Sequence, residues 1–194
     1  MTTRPQLMTV EDAKALPCAK VRDLFERHLN PGQLHFMKLL GFDEVLISRA
    51  EGMYYYDQND RAILDMFGGF GSLAYGHNHP RILAARQKFQ QEKRHEICMA
   101  FMSQYVTALA HNLAQIAPGD LKNVFFTNCG SVANEAALKL AERYAGPKRT
   151  KIAYASNSFH GKTRAALSVT DSEFYQNGFT LLPNRQRVKF GDLD

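Results

Sequence analysis

Residues 125–141 read FFTNCGSVANEAALKLA, an apolar run that passes through a turn of small residues into an alanine-rich stretch. The pattern predicts a buried strand over 123–127 and a helix over 131–145. A second strand over 151–155 and a helix over 162–168 follow in the sequence. Strands and helices that alternate in this way are typical of a parallel sheet with crossover helices, so the sequence predicts an α/β fold.

The turn between the first strand and its helix has the composition of an anion site. The first N–H groups of a helix have no partner within the helix, and the helix dipole is positive at that end. Gly130 lets an anion approach the backbone and Ser131 offers a hydroxyl donor, so these residues suit a phosphate group. A structural alternative stays open, in which Asn128 or Ser131 only caps the helix.

A second motif, SFHGKT at 158–163, follows the second strand. The loops beyond the carboxyl ends of parallel strands form the ligand crevice of an open sheet. Phe159 would then lie near the phosphate site and offer a flat apolar face to an aromatic ring. The alternative is that Phe159 belongs to the core and that His160 is a polar group with a hydrogen-bond partner.

The chain before residue 100 has a different, mixed pattern. Thr9 and Asp12 form a capping-box pattern that opens a short helix, and Pro17 interrupts it. Short apolar and aromatic runs separated by turns then predict an antiparallel meander. The predicted strands cover 44–50, 53–56 and 61–66, and further helices cover 21–29, 33–40 and 80–93.

Two helices are expected to bury one apolar face each. The first begins at Pro80, and the second begins at Ser103 and ends before Pro118. The residues expected to face inward are Ile82, Leu83, Ala85 and Phe89 on the first, and Val106, Leu109, Ala110, Leu113 and Ile116 on the second.

Composition excludes several classes of protein. Of the 194 residues, 45% are hydrophobic and 22% charged, which is ordinary for a globular chain and argues against disorder. No stretch approaches the roughly 18 apolar residues of a membrane span, and no signal-peptide pattern opens the chain. Cys18, Cys98 and Cys129 are odd in number and widely spaced, so we expect neither a disulfide framework nor a zinc site, and a cytoplasmic location.

The net charge of +5 does not predict a nucleic-acid partner, because the basic residues are spread along the chain and mixed with acidic ones. A solvated surface explains them. Arg185, Arg187 and Lys189 form the one small basic group, for which a role in attracting phosphate stays open.

Three look-alike motifs fail on their context. Residues 156–163 end in Gly-Lys-Thr like a P-loop, but Ser156 stands where the first glycine belongs. Residues 69–74 fit a relaxed dinucleotide fingerprint but follow an antiparallel strand and lead into a loop. His77 and His79 lack an identifiable third ligand, so we expect no metal site.

Taken together, the sequence resembles the class III (ω-amino group) aminotransferases from about Asn30 to its last residue. Several blocks agree in order and spacing, and residues 64–71 and the blocks at Phe159 and Leu181 are most similar to the putrescine and diamine aminotransferases. The matching blocks are residues 29–32, 65–71, 76–80, 125–144, 159–162 and 181–183.

This resemblance implies a fold and an activity. The fold is that of a fold type I transferase dependent on pyridoxal 5'-phosphate, of which this chain would be the N-terminal part. Residues 1–80 would contribute to the small domain, and residues 81–194 would form an incomplete part of the cofactor-binding large domain. The implied enzyme is a homodimer that transfers an amino group from a diamine or other ω-amino donor to a 2-oxo acid.

The resemblance also assigns roles to residues. The positions of Gly130 and Ser131 hold the cofactor's phosphate, Phe159 stacks on its pyridine ring, and His160 lies beside it. Phe70 matches a position that approaches the substrate, where relatives can carry tyrosine. Glu135 matches an acidic family position in the helix that follows the phosphate turn. The sequence departs from the pattern at Cys129, where serine is usual, and at Val132, where an acid is usual.

The family reacts through a lysine that binds the cofactor covalently and an aspartate paired with the pyridine nitrogen. Neither Lys151 nor Lys162 matches that lysine in its context, so we expect no catalytic residue in this chain. The chain alone is expected to be inactive and to expose large apolar faces unless another polypeptide covers them. The alternative function is that of a truncated, non-catalytic fragment or binding remnant.

Overall fold

The computed structural model describes residues 7–96 and 100–192. They belong to two compact units, Met1–Ile97 and Cys98–Asp194. The first unit is built of helices and an antiparallel sheet, and the second of helices and a parallel strand pair. The assignment of residues 1–80 to a small domain and of 81–194 to a large domain stays a prediction.

Three helices open the N-terminal unit, and local signals place their starts. Thr9 and Asp12 form the predicted capping box in full, with the side chain of each accepting a hydrogen bond from the backbone of the other. The third helix begins two residues before its predicted start, because Pro31 takes the first helical position and Asn30 caps it. The helices are α1 (Val10–Lys14), α2 (Cys18–His28) and α3 (Pro31–Leu39).

The predicted meander is confirmed as a three-stranded antiparallel sheet in the order β1-β2-β3. Two of its strands are shorter than predicted, the first covering 47–51 instead of 44–50 and the third 62–64 instead of 61–66. Before the first strand, the backbone bonds to a side chain instead of a neighbouring strand. The backbone N–H of Leu46, for example, donates to the side-chain oxygen of Gln58. The strands are β1 (Ile47–Glu51), β2 (Tyr54–Asp57) and β3 (Ala62–Leu64).

Helix α4 (Pro80–Gln91) forms as predicted, but its inward face is not buried. Leu83 and Phe89 are half-buried, whereas Ile82 and Ala85 are exposed. The prediction of a buried face here was wrong, because burial requires a second element and periodicity alone does not supply one.

The C-terminal unit contains the predicted alternation of helices and parallel strands. The alanine-rich stretch forms a single helix that ends at Gly146 with a φ of 71°. Two strands pair in parallel, in a register that places Ile152 opposite Arg185. The elements are α5 (Gln104–Ile116), α6 (Gly130–Ala145), β4 (Ile152–Ala155), α7 (Arg164–Ser168), α8 (Glu173–Gln176) and β5 (Arg185–Val188).

The strand predicted over 123–127 is absent from the described chain, where residues 121–127 carry no regular structure. A strand needs a hydrogen-bonded neighbour, and among the described residues β4 pairs only with β5. Phe125 is 73% exposed, so the segment is not buried either. The prediction of a buried strand was therefore wrong for this structure.

The apolar face of α5 is also exposed, contrary to prediction. Val106, Leu109 and Ile116 are at least half exposed, while Ala110 and Leu113 are half-buried. The buried core of this unit lies elsewhere, around α7, and comprises Ala166, Leu167, Ser168, Val169 and Thr170. The expected exposure of large apolar faces is confirmed, and what covers them stays a prediction. None of the helices within the described ranges is long and apolar enough to cross a lipid bilayer.

Candidate functional site

The start of α6 is open, as an anion site requires. Cys129 is the N-cap residue, and its side chain makes no capping hydrogen bond. The alternative in which Asn128 or Ser131 caps the helix is therefore wrong. A Cβ atom built on Gly130 would have no neighbour within 4 Å, so the space beside the first turn is free.

Gly161 brings the second motif onto this turn. Its φ of +127° is a conformation that side chains rarely adopt, and its α-carbon faces Ser131. A Cβ atom at Gly161 would lie 2.7 Å from the Cβ and 2.9 Å from the Cα of Ser131, and closer still to the Ser131 hydroxyl. The residues just before Gly161, Phe159 and His160, are thereby held beside the start of α6.

Two further contacts join the same segments. The side-chain amide of Asn134 donates to the carbonyl of His160 over 2.6 Å. The carboxylate of Glu135 accepts hydrogen bonds from the backbone N–H groups of Ala165 (2.8 Å) and Ala166 (3.2 Å), at the start of α7. Consecutive residues of α6 thus hold the loop and the helix that follows it.

The electrostatics of Glu135 fit this structural role. Burial raises the pKa of the Glu135 carboxyl, but hydrogen bonds from the Thr163 side chain and from the Ala166 and Ala165 backbone outweigh it. The nearby Lys139 acts in the same direction, and the pKa lies below its usual value. Glu135 is therefore a carboxylate that anchors α7.

Phe159 is exposed and available for stacking. Its side chain is 63% exposed, so the alternative that assigned it to the core is wrong. The ring of Tyr175 meets it edge to face, with 6.1 Å between centroids, and Lys162 lies over Tyr175 at 4.1 Å. Phe159 is thus an exposed ring with one aromatic neighbour, and its stacking on a cofactor stays a prediction.

His160 is held through its ring Nδ1 and through its backbone N–H and carbonyl. Its Nδ1 lies 2.8 Å from the carbonyl of Val169, which can only accept, so Nδ1 carries the proton. The ring lines a small cavity between α6 and β4 together with Leu138 and Tyr154. Nδ1 thus has a hydrogen-bond partner, as the alternative expects, and the place of His160 beside the cofactor stays a prediction.

Asp171 also holds the loop that carries Phe159. This residue accepts a hydrogen bond from the backbone N–H of Asn157 (2.7 Å) and pairs with Arg187 (2.8 Å). The hydrogen bond from Arg187, followed by that from Asn157, holds the pKa of the Asp171 carboxyl below its usual value. An ionised Asp171 thus ties the loop to β5.

The basic group near residue 187 is accounted for by contacts within the chain. Arg185 donates to the carbonyls of Leu182 and Ser168, and Lys189 pairs with Asp192 over 2.9 Å. With Arg187 bound to Asp171, all three cations have internal partners. A role for them in attracting phosphate has no support in this arrangement.

Phe70 belongs to the N-terminal unit. It is 89% exposed, at a φ of 55°, and its ring packs against Phe67 with 5.1 Å between centroids. The loop that carries it is closed at its base by a 2.8 Å contact between Asp65 and His77. Its approach to a substrate stays a prediction.

Sequence reasoning missed the residues that join the two motifs. Asn134 lies one turn beyond Gly130, and this helical spacing could have placed it beside the site. Nothing in the sequence pointed to Thr170 or Tyr175, because the segments between them and the loop have no periodic pattern that would predict the contacts.

Comparisons of the sequence with known proteins identify a family. The model of the class III aminotransferases matches residues 41–193. Aminotransferase PigE of Serratia sp. (strain ATCC 39006) is 36% identical over 174 residues, which are 89% of this chain and 20% of PigE. The chain therefore spans about a fifth of that relative.

Solved structures agree with the fold. An (S)-enantioselective omega-transaminase from Thermomicrobium roseum superposes with a TM-score of 0.77 and 29% identity, over 90% of this chain and 40% of its own. The omega-transaminase of Pseudomonas jessenii, solved in complex with PMP, gives a TM-score of 0.64 and 32% identity, over 75% of this chain and 33% of its own. Class III aminotransferases depend on pyridoxal phosphate, and the described elements correspond to the N-terminal part of their fold. The chain belongs to the class III aminotransferases.

Proposed function

We propose that this chain supplies the phosphate-binding and ring-stacking part of a pyridoxal-phosphate-dependent aminotransferase. The observation that carries the proposal is the close approach of Gly161 to Ser131. It joins a helix start that suits a phosphate to a loop with an exposed aromatic ring. One ligand with a phosphate and a flat ring would engage both.

The residues present fit this cofactor. The uncapped start of α6 and the free space beside Gly130 leave room for a phosphate, to which Ser131 would add a hydroxyl donor. Phe159 would stack on the pyridine ring, and His160 would fix the loop through its backbone contacts. The bound cofactor supplies the electron sink of transamination.

We further propose that the complete enzyme is a cytoplasmic homodimer. Its reaction would move an amino group from a diamine or other ω-amino donor to a 2-oxo acid. The similarity to omega-transaminases supports the class of donor, and the sequence pattern around residues 64–71 supports the diamine subtype. Phe70 would approach the substrate.

The chain alone is proposed not to catalyse transamination. Lys162 lies over the ring of Tyr175, and Lys151 directly precedes β4, so neither lysine is in the family's reactive context. Without a reactive lysine at the site, cofactor binding there would be reversible and would not depend on a Schiff base.

A titration with pyridoxal phosphate tests the proposal. We expect reversible binding, followed by absorbance and equilibrium dialysis, and weaker binding of pyridoxal, which lacks the phosphate. If a folded chain does not bind the cofactor at millimolar concentration, the proposed cofactor site is rejected. Borohydride fixation of equimolar cofactor to one lysine at the site, located by peptide mapping, would instead contradict the claim that the chain lacks a reactive lysine, whereas fixation spread over exposed lysines would not.

Replacing Phe159 by alanine is expected to weaken pyridoxal phosphate binding up to about tenfold, because aromatic stacking contributes about 0.5–1.5 kcal/mol. Phe159→Tyr should bind like the original chain. Tyr144→Ala is the matched control: Tyr144 is 92% exposed, near the far end of α6, about 20 Å from its start. Equal dissociation constants for Phe159→Ala and Tyr144→Ala would contradict the stacking role.

A further inference from the structure

Thr170 places a buried hydroxyl behind the loop that carries Phe159. The residue is 1% exposed and follows α7. Its Oγ1 accepts a hydrogen bond from the backbone N–H of His160 over 2.9 Å. The same oxygen lies 2.9 Å from the carbonyl of Gly161 and 3.0 Å from that of Ala166, to either of which it can donate its single proton.

These contacts fall on the peptide groups on either side of the His160–Gly161 link. Gly161 is the residue whose α-carbon faces Ser131 at the start of α6, and Phe159 directly precedes His160. The position of this short segment therefore sets the distance between the exposed ring and the proposed phosphate site. Among the contacts described for the segment, that of Thr170 is the one in which a buried side chain reaches both peptide groups.

The neighbours of Thr170 hold the preceding part of the loop. The carbonyl of Val169 accepts from His160 Nδ1 and from the Ser158 hydroxyl over 3.2 Å, and the backbone N–H of Asp171 donates to Ser158. Residues 169–171 thus form a template along which residues 157–161 lie. Thr170 contributes its side chain at the point closest to α6.

We propose that Thr170 is a positioning residue for cofactor binding, which fixes the peptide groups on either side of the His160–Gly161 link and thereby sets Phe159 relative to the start of α6. The inference deepens the proposed function and rests on it for the identity of the ligand. The competing explanation is purely local: the hydroxyl could serve only α7, through its bond to Ala166 four residues earlier.

Ser168, the last residue of α7 and two positions before Thr170, provides a matched control. It is 0% exposed, and its hydroxyl donates to the carbonyl of Arg164 and accepts from the N–H of Leu182, neither of which belongs to the Phe159 loop. Loss of this hydroxyl should perturb α7 as much as loss of that of Thr170. It should leave the Phe159 loop in place.

The experiment compares Thr170→Val, Thr170→Ser and Ser168→Ala in the full chain. Amide hydrogen exchange at His160 is measured without cofactor, and the dissociation constants of pyridoxal phosphate and inorganic phosphate are measured separately. Thr170→Val should speed His160 exchange and weaken pyridoxal phosphate binding, each by about tenfold, because a buried N–H loses its acceptor. Binding of inorganic phosphate should change less, since it requires only the helix start.

Thr170→Ser should restore both values, and Ser168→Ala should leave both near those of the original chain. Unchanged His160 exchange in Thr170→Val, or an equal change in Ser168→Ala, overturns the inference. If Thr170→Val does not fold, Thr170→Cys, whose sulfur is only a weak acceptor for the His160 N–H, supplies the comparison. Failure of the original chain to bind pyridoxal phosphate would reject the proposed function, whereas the exchange data decide the positioning of the loop independently.

Discussion

Replacing Gly161 by alanine is expected to abolish pyridoxal phosphate binding and to destabilise the C-terminal unit by about 3 kcal/mol or more. Two costs add. A side chain at a φ of +127° costs about 1–3 kcal/mol, because that conformation is nearly restricted to glycine. The new Cβ would also lie 2.7 Å from the Cβ of Ser131, and overpacking of this kind costs about 1–3 kcal/mol.

The functional loss follows from the same geometry. Relief of the clash requires the Phe159 loop and the start of α6 to move apart, which separates the ring-stacking residue from the proposed phosphate site. The measurements are a denaturant unfolding curve and a cofactor titration on the same sample.

Gly178→Ala is the control for backbone strain alone. Gly178 has a φ of +82°, and a Cβ built on it would meet nothing within 4 Å. Its replacement should cost about 1–2 kcal/mol and leave cofactor affinity unchanged. A double-mutant cycle with Ser131→Gly isolates the clash, because the serine side chain supplies the two closest atoms. If Gly161→Ala lowers the free energy of unfolding and the cofactor affinity no more than Gly178→Ala does, the close approach of Gly161 to Ser131 does not exist in solution.

The parts of this fold that could be predicted from the sequence are those with local causes. The capping box at Thr9, the start of α6 after Cys129 and its end at Gly146 depend on residues within one helical turn. The meander was predictable because its strands are joined by short turns. The alternation of element types predicted a parallel sheet, and β4 does lie in a parallel pair, but its partner is β5 and not the predicted strand over 123–127.

The predictions that were wrong have a different cause in common. The segment 123–127 and the apolar face of α5 have the right composition for burial, but burial and strand pairing require a partner surface, which the described part of the chain does not supply. Periodicity specifies which face would be buried and says nothing about whether it is.

The candidate site was predictable in its parts and in the nearness of Phe159 to the phosphate turn, and not in the contact that joins them. Gly130 and Ser131 stand out because helix starts have recognisable signals, whereas Phe159 was singled out from a core residue by the resemblance to the family. Its nearness was predicted from the carboxyl ends of two parallel strands, one of which is absent from the described chain. The structure instead joins the two motifs where Gly161 meets Ser131 across thirty positions, and the sequence gives no sign of that contact. The same holds for the hydroxyl of Thr170.

Glu135→Gln is expected to destabilise the C-terminal unit by about 2 kcal/mol near neutral pH. The carboxylate accepts hydrogen bonds from two backbone N–H groups at the start of α7, and hydrogen bonds to charged groups contribute about 1.5–3 kcal/mol each. Glutamine keeps one acceptor oxygen but loses the charge that favours the positive end of the helix. Ala166 is 0% exposed, so water cannot replace the lost partner.

The pH dependence of this difference separates the charge from the shape of the side chain. Because the pKa of Glu135 is lower in the folded chain than its usual 4.5, its contribution is complete above about pH 4.5 and disappears as the pH falls through the folded value. Four other carboxyl groups also have lowered pKa values, those of Asp12, Asp57, Asp65 and Asp171. Their contributions to stability also disappear in acid, but to the same extent in Glu135→Gln and in the original chain. Urea unfolding at pH 7 and at steps below pH 4.5 should therefore show the free energies of unfolding of Glu135→Gln and of the original chain converging in acid.

Glu142→Gln, a substitution near the far end of the same helix, is the control, and its free energy of unfolding should equal that of the original chain at every pH. A gap between Glu135→Gln and the original chain that persists undiminished in acid would mean that side-chain shape, and not charge, anchors α7.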